Sequence, residues 1–211
     1  MDPGDFMKVG IIGTGNVGRA LAAGLVRGKH QVTFGSRNPS RVERVEGVDV
    51  GSRKEAATWA EVVILAVPFS AIHDTVQAIG PNALNRKVLV DATNAIGPAY
   101  DLAVGHTTSG AEELAKLVPG ARVVKAFNTV FAPLMSAGTV RGEPVALPVA
   151  GDDPAAKEAV IQLGRDLGFD PVDAGPLKNA RYLEPLAMWM IYLAYGGPKM
   201  GPGIGLKLLR G

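Results

Sequence analysis

KVGIIGTGNVGRALAAGL, residues 8–25, decides how the rest of the chain is read. An apolar run ends at Gly13, glycines recur at Gly15 and Gly18, and apolar residues then fall at Val17, Leu21 and Leu25. The first part is a buried strand from Lys8 to Gly13, and the last is a helix over 16–29 with one apolar face. Between them, G-x-G-x-x-G answers three demands: a tight turn, a backbone that can be approached closely, and a close helix–strand contact. A helix starting here aims unpaired N–H groups and the positive end of its dipole at the space beyond the loop. That end suits a pyrophosphate. Gly13, Thr14, Gly15, Asn16, Val17 and Gly18 are therefore candidate dinucleotide-binding residues.

The next strand, 30–36, runs into GSRNPSR. A site for NAD would carry Asp or Glu at this strand end, to accept hydrogen bonds from the ribose hydroxyls. Here stand Ser36 and Arg37, with Arg41 a turn further on. A guanidinium forks onto phosphate oxygens and stacks on adenine, whereas a carboxylate would repel a 2′-phosphate. Ser36 adds a hydroxyl and a backbone donor, and Thr14 can reach the same group. The pattern predicts a cradle for the 2′-phosphate, and so NADP(H) as cofactor. The alternative is that these arginines are ordinary solvated surface residues.

Strands and helices go on alternating. Strands are expected at 48–52, 61–68, 87–93, 122–127 and 145–151, with helices at 53–60, 70–79, 111–118 and 153–168. Residues 169–176 read as an edge strand, because Pro171 lacks an N–H. A last helix is expected over 179–195. The stretch 94–110 has little periodicity and reads as a long functional loop. This alternation predicts an α/β fold: a doubly wound, Rossmann-like, mostly parallel sheet with a small C-terminal α/β extension ending in a long helix. The expected division is a dinucleotide-binding domain over 7–144 and an extension over 145–211 that forms the acceptor site and subunit contacts.

In such a sheet the ligand lies beyond the carboxyl ends of the strands. Ala66, Val67 and Pro68 end the strand of 61–68, and small residues there let the nicotinamide side approach. Asn94 follows the strand of 87–93 and is a further candidate for the cofactor. Phe69, Asn128, Thr129 and Ala132 are candidates for the substrate. Asn128 and Thr129 could instead hold the nicotinamide amide, or simply cap their turn. No Ser-His-Asp set, carboxylate pair or lysine dyad is expected at the strand ends, so no catalytic residue is assigned. Of the three histidines, only His106 falls in the long loop; their spacing gives no metal site. Residues 188–192 (MWMIY) read as core or subunit interface.

Composition narrows the functional classes. The formal net charge is +2, and no run of basic residues marks a nucleic-acid surface. With no cysteine, disulfides, thiol catalysis and zinc–thiolate sites are excluded. The N-terminus lacks a basic region followed by an apolar one, so a cytoplasmic protein is expected. LAMWMIYLAY, at 186–195, is too short for a membrane span. Residues before Met7 read as a leader or an added segment.

GIIGTGNVGRALAAGL (10–25), TFGSRNP (33–39), VVILAVPF (62–69) and DAGPLKNARYLEPL (173–186) together resemble the NADPH-dependent reductases of coenzyme F420, a deazaflavin. They are also similar to the cytosolic domain of the STEAP group of ferric reductases, which passes hydride to a flavin. The resemblance covers residues 7–211. It implies that Thr14, Ser36, Arg37 and Arg41 take the adenosine phosphate and that Ala66, Val67 and Pro68 flank the nicotinamide. At Asn128 the archaeal deazaflavin enzymes carry histidine and the flavin-linked relatives asparagine, so FMN and FAD stand beside F420 as hydride partners. The expected protein is an NADPH-dependent oxidoreductase acting on a small-molecule redox acceptor, and a homodimer. The alternatives are an NADPH sensor without turnover and a reductase of imines or carbonyls.

Overall fold

A computed structural model describes residues 6–97 and 100–210. Its centre is one eight-stranded sheet. Four strands come from the first part of the chain: β1 (Lys8–Ile12), β2 (Gln31–Ser36), β3 (Val48–Ser52) and β4 (Val62–Leu65). β5 (Val88–Asp91) and β6 (Arg122–Lys125) follow, and β9 (Ala146–Gly151) and β10 (Asp170–Asp173) close the set. Between them, β7 (Thr139–Val140) and β8 (Glu143–Pro144) form a separate small hairpin that the sequence pattern did not indicate. The sheet order is β10-β9-β6-β5-β4-β1-β2-β3. Every neighbouring pair is parallel except β6 with β9. The strand order reverses between β1 and β4, which opens a crevice above their carboxyl ends.

The helices are α1 (Asn16–Arg27), α2 (Arg53–Trp59), α3 (Ile72–Ile79), α4 (Gly110–Leu117), the short α5 (Ala132–Met135), α6 (Pro154–Asp166) and α7 (Ala180–Tyr195). They cover both faces of the sheet. The central strands β4 and β5 are accordingly buried at every residue, as expected of parallel strands packed on two sides. Alternate residues of each strand feed two cores. Ile11, Ile64 and Val90 enter one, and Ile12, Val63, Leu65 and Leu89 the other.

Several element boundaries shift. β4 stops at Leu65, because residues 69–71 turn into a 3₁₀ helix leading into α3. In the stretch 94–110, residues 98 and 99 lie outside the described residues. Around them the backbone is ordered by an antiparallel bridge between Ile96 and Leu102 and by the Ala103 N–H donating to the Ala95 carbonyl at 2.8 Å. That stretch ends in a helix cap: Ser109 Oγ accepts from the Glu112 N–H at 3.2 Å and starts α4. β10 is indeed an edge strand, where Pro171 costs no ladder bond on its open side. The Gly- and Pro-rich tail returns along the sheet, with the Ala146 N–H donating to the Leu206 carbonyl at 2.8 Å.

α7 ties the last third of the chain to the middle third, at α4 and the end of β6. Its inner face, with Leu183, Glu184, Ala187 and Met190, is buried. Arg181 in its first turn forks onto Glu112 of α4, with Nε and Nη2 at 2.9 and 2.6 Å from the two carboxylate oxygens. This pair, helped by Ser109, holds the Glu112 carboxyl below its ordinary pKa. The outer face carries Tyr182, Trp189, Tyr192 and Tyr195, all exposed. MWMIY is thus divided between core and surface. Among the described residues no helix is long and apolar enough to cross a membrane.

Candidate functional site

β1 ends at Ile12, and the chain turns at Gly13 with φ +126°. A Cβ there would stand 2.2 Å from the Ala66 carbonyl oxygen, so only glycine lets β1 and β4 come this close at the switch point. A Cβ at Gly18 would meet the Gly13 oxygen at 2.0 Å, while one at Gly15 would meet nothing within 4 Å. The outer two glycines serve packing, and the middle one leaves open approach. Gly15 is also the N-cap of α1, with no side-chain cap and no acidic residue in the first turn. The first N–H groups of a 12-residue helix thus face the crevice without an internal partner.

A cavity of about 660 Å3 lies over this loop. Gly13, Thr14, Gly15, Ser36, Arg37, Arg41, Ala66, Val67 and Pro68, all expected at the site, line it. Asn16, Val17 and Gly18 belong to the first turn of α1 and do not. The sequence reading missed Arg19, Arg53, Asp74 and Thr75 on the same wall. Arg19 is committed within the protein: its Nε donates to the Thr14 carbonyl at 3.0 Å, and its guanidinium lies 3.3 Å from Glu43. Among the described residues, no ion pair involves Arg37, Arg41 or Arg53. One end of the cavity therefore gathers guanidinium groups that make no ion pair among the described residues, beside the strand ends. The Thr75 hydroxyl is buried and has no hydrogen-bond partner among the described residues.

The carboxyl ends of β5 and β6 hold a second group. Asn94 Nδ2 donates to the Asn128 carbonyl at 3.1 Å, and Asn128 Nδ2 donates to Asn94 Oδ1 at 3.3 Å and to the Leu183 carbonyl at 3.0 Å. The turn before Asn128 is unusual. Phe127 is fully buried with φ +67°, a backbone region that bulky L-residues rarely occupy. Three oxygens here, Thr93 Oγ1, Asn128 Oδ1 and Thr129 Oγ1, are buried without a hydrogen-bond partner among the described residues. Native proteins rarely leave such groups unpaired. Phe69 and Ala132 are partly buried, and neither they nor Asn94, Asn128 and Thr129 line the 660 Å3 cavity.

The strand ends also hold one buried charged cluster that the sequence pattern did not indicate. Lys125, the last residue of β6, is fully buried. Its Nζ lies 2.9 Å from Asp91 Oδ2 at the end of β5, 2.9 Å from Glu184 Oε1 on α7, and 2.7 Å from the Thr93 carbonyl. Glu184 also accepts from the Gly110 and Ala111 N–H groups that open α4, at 2.9 and 3.2 Å. Nothing local marks these residues, which come from three distant segments. The cluster is buried and none of its members lines the cavity, so its role is to hold the strand ends and α7 together.

The histidines stay apart from this chemistry. His30 is buried between the Met7 N–H, donating to Nδ1 at 3.2 Å, and Asp166, 3.1 Å from Nε2. His73 is on the exposed side of α3, and His106 is exposed at φ +61°. Among the described residues no cluster of His, Asp and Glu could hold a metal. The aromatic helix and glycine-rich tail do make a groove of about 390 Å3, lined by Trp189, Met190, Leu193, Met200 and Ile204. It shares no lining residue with the larger cavity.

Comparison with known proteins agrees with this geometry. The family model described as NADP oxidoreductase, coenzyme F420-dependent, matches residues 8–95. The chain is 36% identical over 191 residues to the metalloreductase STEAP3 of Rattus norvegicus, a match that takes in 90% of this chain and 38% of that protein. The chain thus spans well under half the length of the curated relatives it matches. Among solved structures, a provisionally named F420-dependent NADP-reductase from Arthrobacter sp. FB24 superposes with a TM-score of 0.87. It shares 32% identity, over 97% of this chain and 100% of that one. A hypothetical protein of Sinorhizobium meliloti superposes with a TM-score of 0.70 at 34% identity, over 82% and 86% of the two chains. With the Arthrobacter relative matched along its whole length at this identity, the chain belongs to the family of coenzyme F420-dependent NADP oxidoreductases.

Proposed function

We propose that the protein transfers hydride between NADPH and a flavin or deazaflavin ring. The observation that carries the cofactor half is the strand end at Ser36–Arg37. Where an NAD site would hold a carboxylate, Arg37, Arg41 and Arg53 share the cavity wall with the glycine loop and have no ion-pair partner among the described residues. A dianionic 2′-phosphate supplies the missing charge. The free first turn of α1 suits the pyrophosphate. NADPH, when bound, supplies the hydride.

The acceptor half rests on what the cavity wall lacks. Among the described lining residues there is one carboxylate, Asp74, and no histidine or lysine. Reduction of a carbonyl needs a proton donor at the oxygen. Transfer to a delocalised ring needs orientation and close approach more than a positioned acid. Ala66, Val67 and Pro68 leave room for that approach. The Arthrobacter relative, named for F420, supports a ring acceptor. NADPH oxidation should be followed against FMN, FAD, coenzyme F420, ferric chelates, a ketone and an imine. Turnover is expected with at least one ring acceptor, and His106→Ala should change it little. Oxidation by the ketone or imine alone would overturn the reading.

We propose, too, that the active form is a homodimer. Trp189 and Tyr192 are 52% and 57% exposed on the outer face of α7, and Tyr182 extends the same stripe. Aromatic residues so grouped are characteristic of covered surfaces. Light scattering should give about twice the chain mass of 21.9 kDa; a monomer at micromolar concentration would refute the dimer.

A further inference from the structure

Gly35-Ser36-Arg37, at the end of β2, recurs as Gly51-Ser52-Arg53 at the end of β3. The two copies are in register: Gly35 pairs with Gly51 and Ser36 with Ser52 on adjacent parallel strands. Neighbouring strands lie about 4.8 Å apart, so the two arginines leave the sheet side by side. The packing agrees, for a Cβ on Gly35 would stand 3.0 Å from the Arg53 Cα.

The two serines are used differently. Ser36 Oγ accepts from the Asn38 N–H at 3.1 Å and shapes the turn after β2. Ser52 closes a capping box: its Oγ accepts from the Glu55 N–H at 3.2 Å, and its own N–H donates to Glu55 Oε2 at 2.8 Å. That box fixes where α2 begins and leaves the Arg53 side chain uncommitted. Burial first, and then the charge of Arg37, hold the Arg53 guanidinium below the ordinary arginine pKa, with Asp74 opposing. Two like charges are thus held together on one cavity wall, an arrangement that an anion between them relieves.

We infer that Arg53 is the second arm of a two-strand clamp, gripping the 2′-phosphate of NADP(H) together with Arg37. The inference rests on the NADP(H) reading and adds a residue that sets cofactor preference. Arg41, in the 3₁₀ turn 39–41, approaches from the same strand end as Arg37. Arg53 alone comes from the neighbouring strand.

The test is calorimetric titration of the whole chain with NADP+, NAD+, adenosine 2′,5′-bisphosphate and ADP. Wild type is measured first: if it does not prefer NADP+, the NADP(H) reading itself fails. If it does, Arg53→Ala should weaken NADP+ and adenosine 2′,5′-bisphosphate by about 10- to 100-fold, and leave NAD+ and ADP unchanged. Arg53→Lys should recover part of the loss, keeping the charge without the fork. The capping box does not use the Arg53 side chain, so melting temperatures should match; should Arg53→Ala fold poorly, Arg53→Gln makes the same measurement. Equal losses for NADP+ and NAD+ would show a guanidinium stacked on adenine and overturn the clamp. An unchanged NADP+ affinity would overturn it as well.

Discussion

Lys125→Met is expected to lower the melting temperature by about 6–20 °C, or to prevent folding. The methionine fills the same space but removes the cation from between Asp91 and Glu184, which are 0% and 1% exposed. Two carboxylates then remain in an interior that cannot hydrate them. Breaking a buried ion pair from one side costs about 3–5 kcal/mol. At this chain length each kcal/mol corresponds to about 2–4 °C. Thermal and urea unfolding followed by circular dichroism measures the effect. Glu184→Gln is the milder comparison, because the amide oxygen can still accept from the start of α4 while the remaining Lys125–Asp91 pair stays neutral. A melting temperature for Lys125→Met equal to that of wild type would show that the carboxylates are discharged in the mutant and that the cluster contributes no net charge pairing.

The second large effect concerns the cofactor. Replacing Arg37 and Arg41 together by alanine should weaken NADP+ by about two to three orders of magnitude, with NAD+ nearly unaffected. Each charge-assisted contact contributes about 1.5–3 kcal/mol, and neighbouring losses add only in part. Every 1.4 kcal/mol is about tenfold in affinity. Fluorescence or calorimetric titration with both nucleotides gives the ratio directly. A double variant that loses NADP+ and NAD+ in equal measure would mean that the arginines grip a part of the cofactor common to both. The result is also sensitive to Arg53. If that residue shares the phosphate, the double variant retains more preference for NADP+ than two independent losses predict.

The sequence revealed those parts of the molecule whose causes are local. Gly13, Gly15 and Gly18 lie between a strand and a helix within a single stretch, and their roles follow from backbone sterics. Pro171 marks an edge strand because it cannot donate. The arginines after Ser36 stand where the strand order puts a cofactor's ribose. Long-range causes were hidden. Lys125 and Asp91 are 34 residues apart, and Glu184 joins them only once α7 has docked. Arg53 looks like an ordinary helix-start residue until β2 and β3 are aligned residue for residue. The stretch 94–110 read as a loop because its order comes from single bridges and one serine cap. Neither creates a periodic pattern.

The junction between β6 and β9 also bears on how far either part of the sheet depends on the other. Only two residue pairs join those strands, Val124 with Gly151 and Lys125 with Ala150. One of the four residues is the lysine whose side chain is held by α7. A gene fragment ending near residue 144 would encode the glycine loop and six of the main sheet's eight strands, but would leave β6 as an open edge and Lys125 short of one carboxylate. A fragment beginning there would encode two strands with no sheet to join. Each half alone would expose groups that the other covers. The relatives align across both halves, over 97% of this chain in the Arthrobacter structure and 90% in the rat protein.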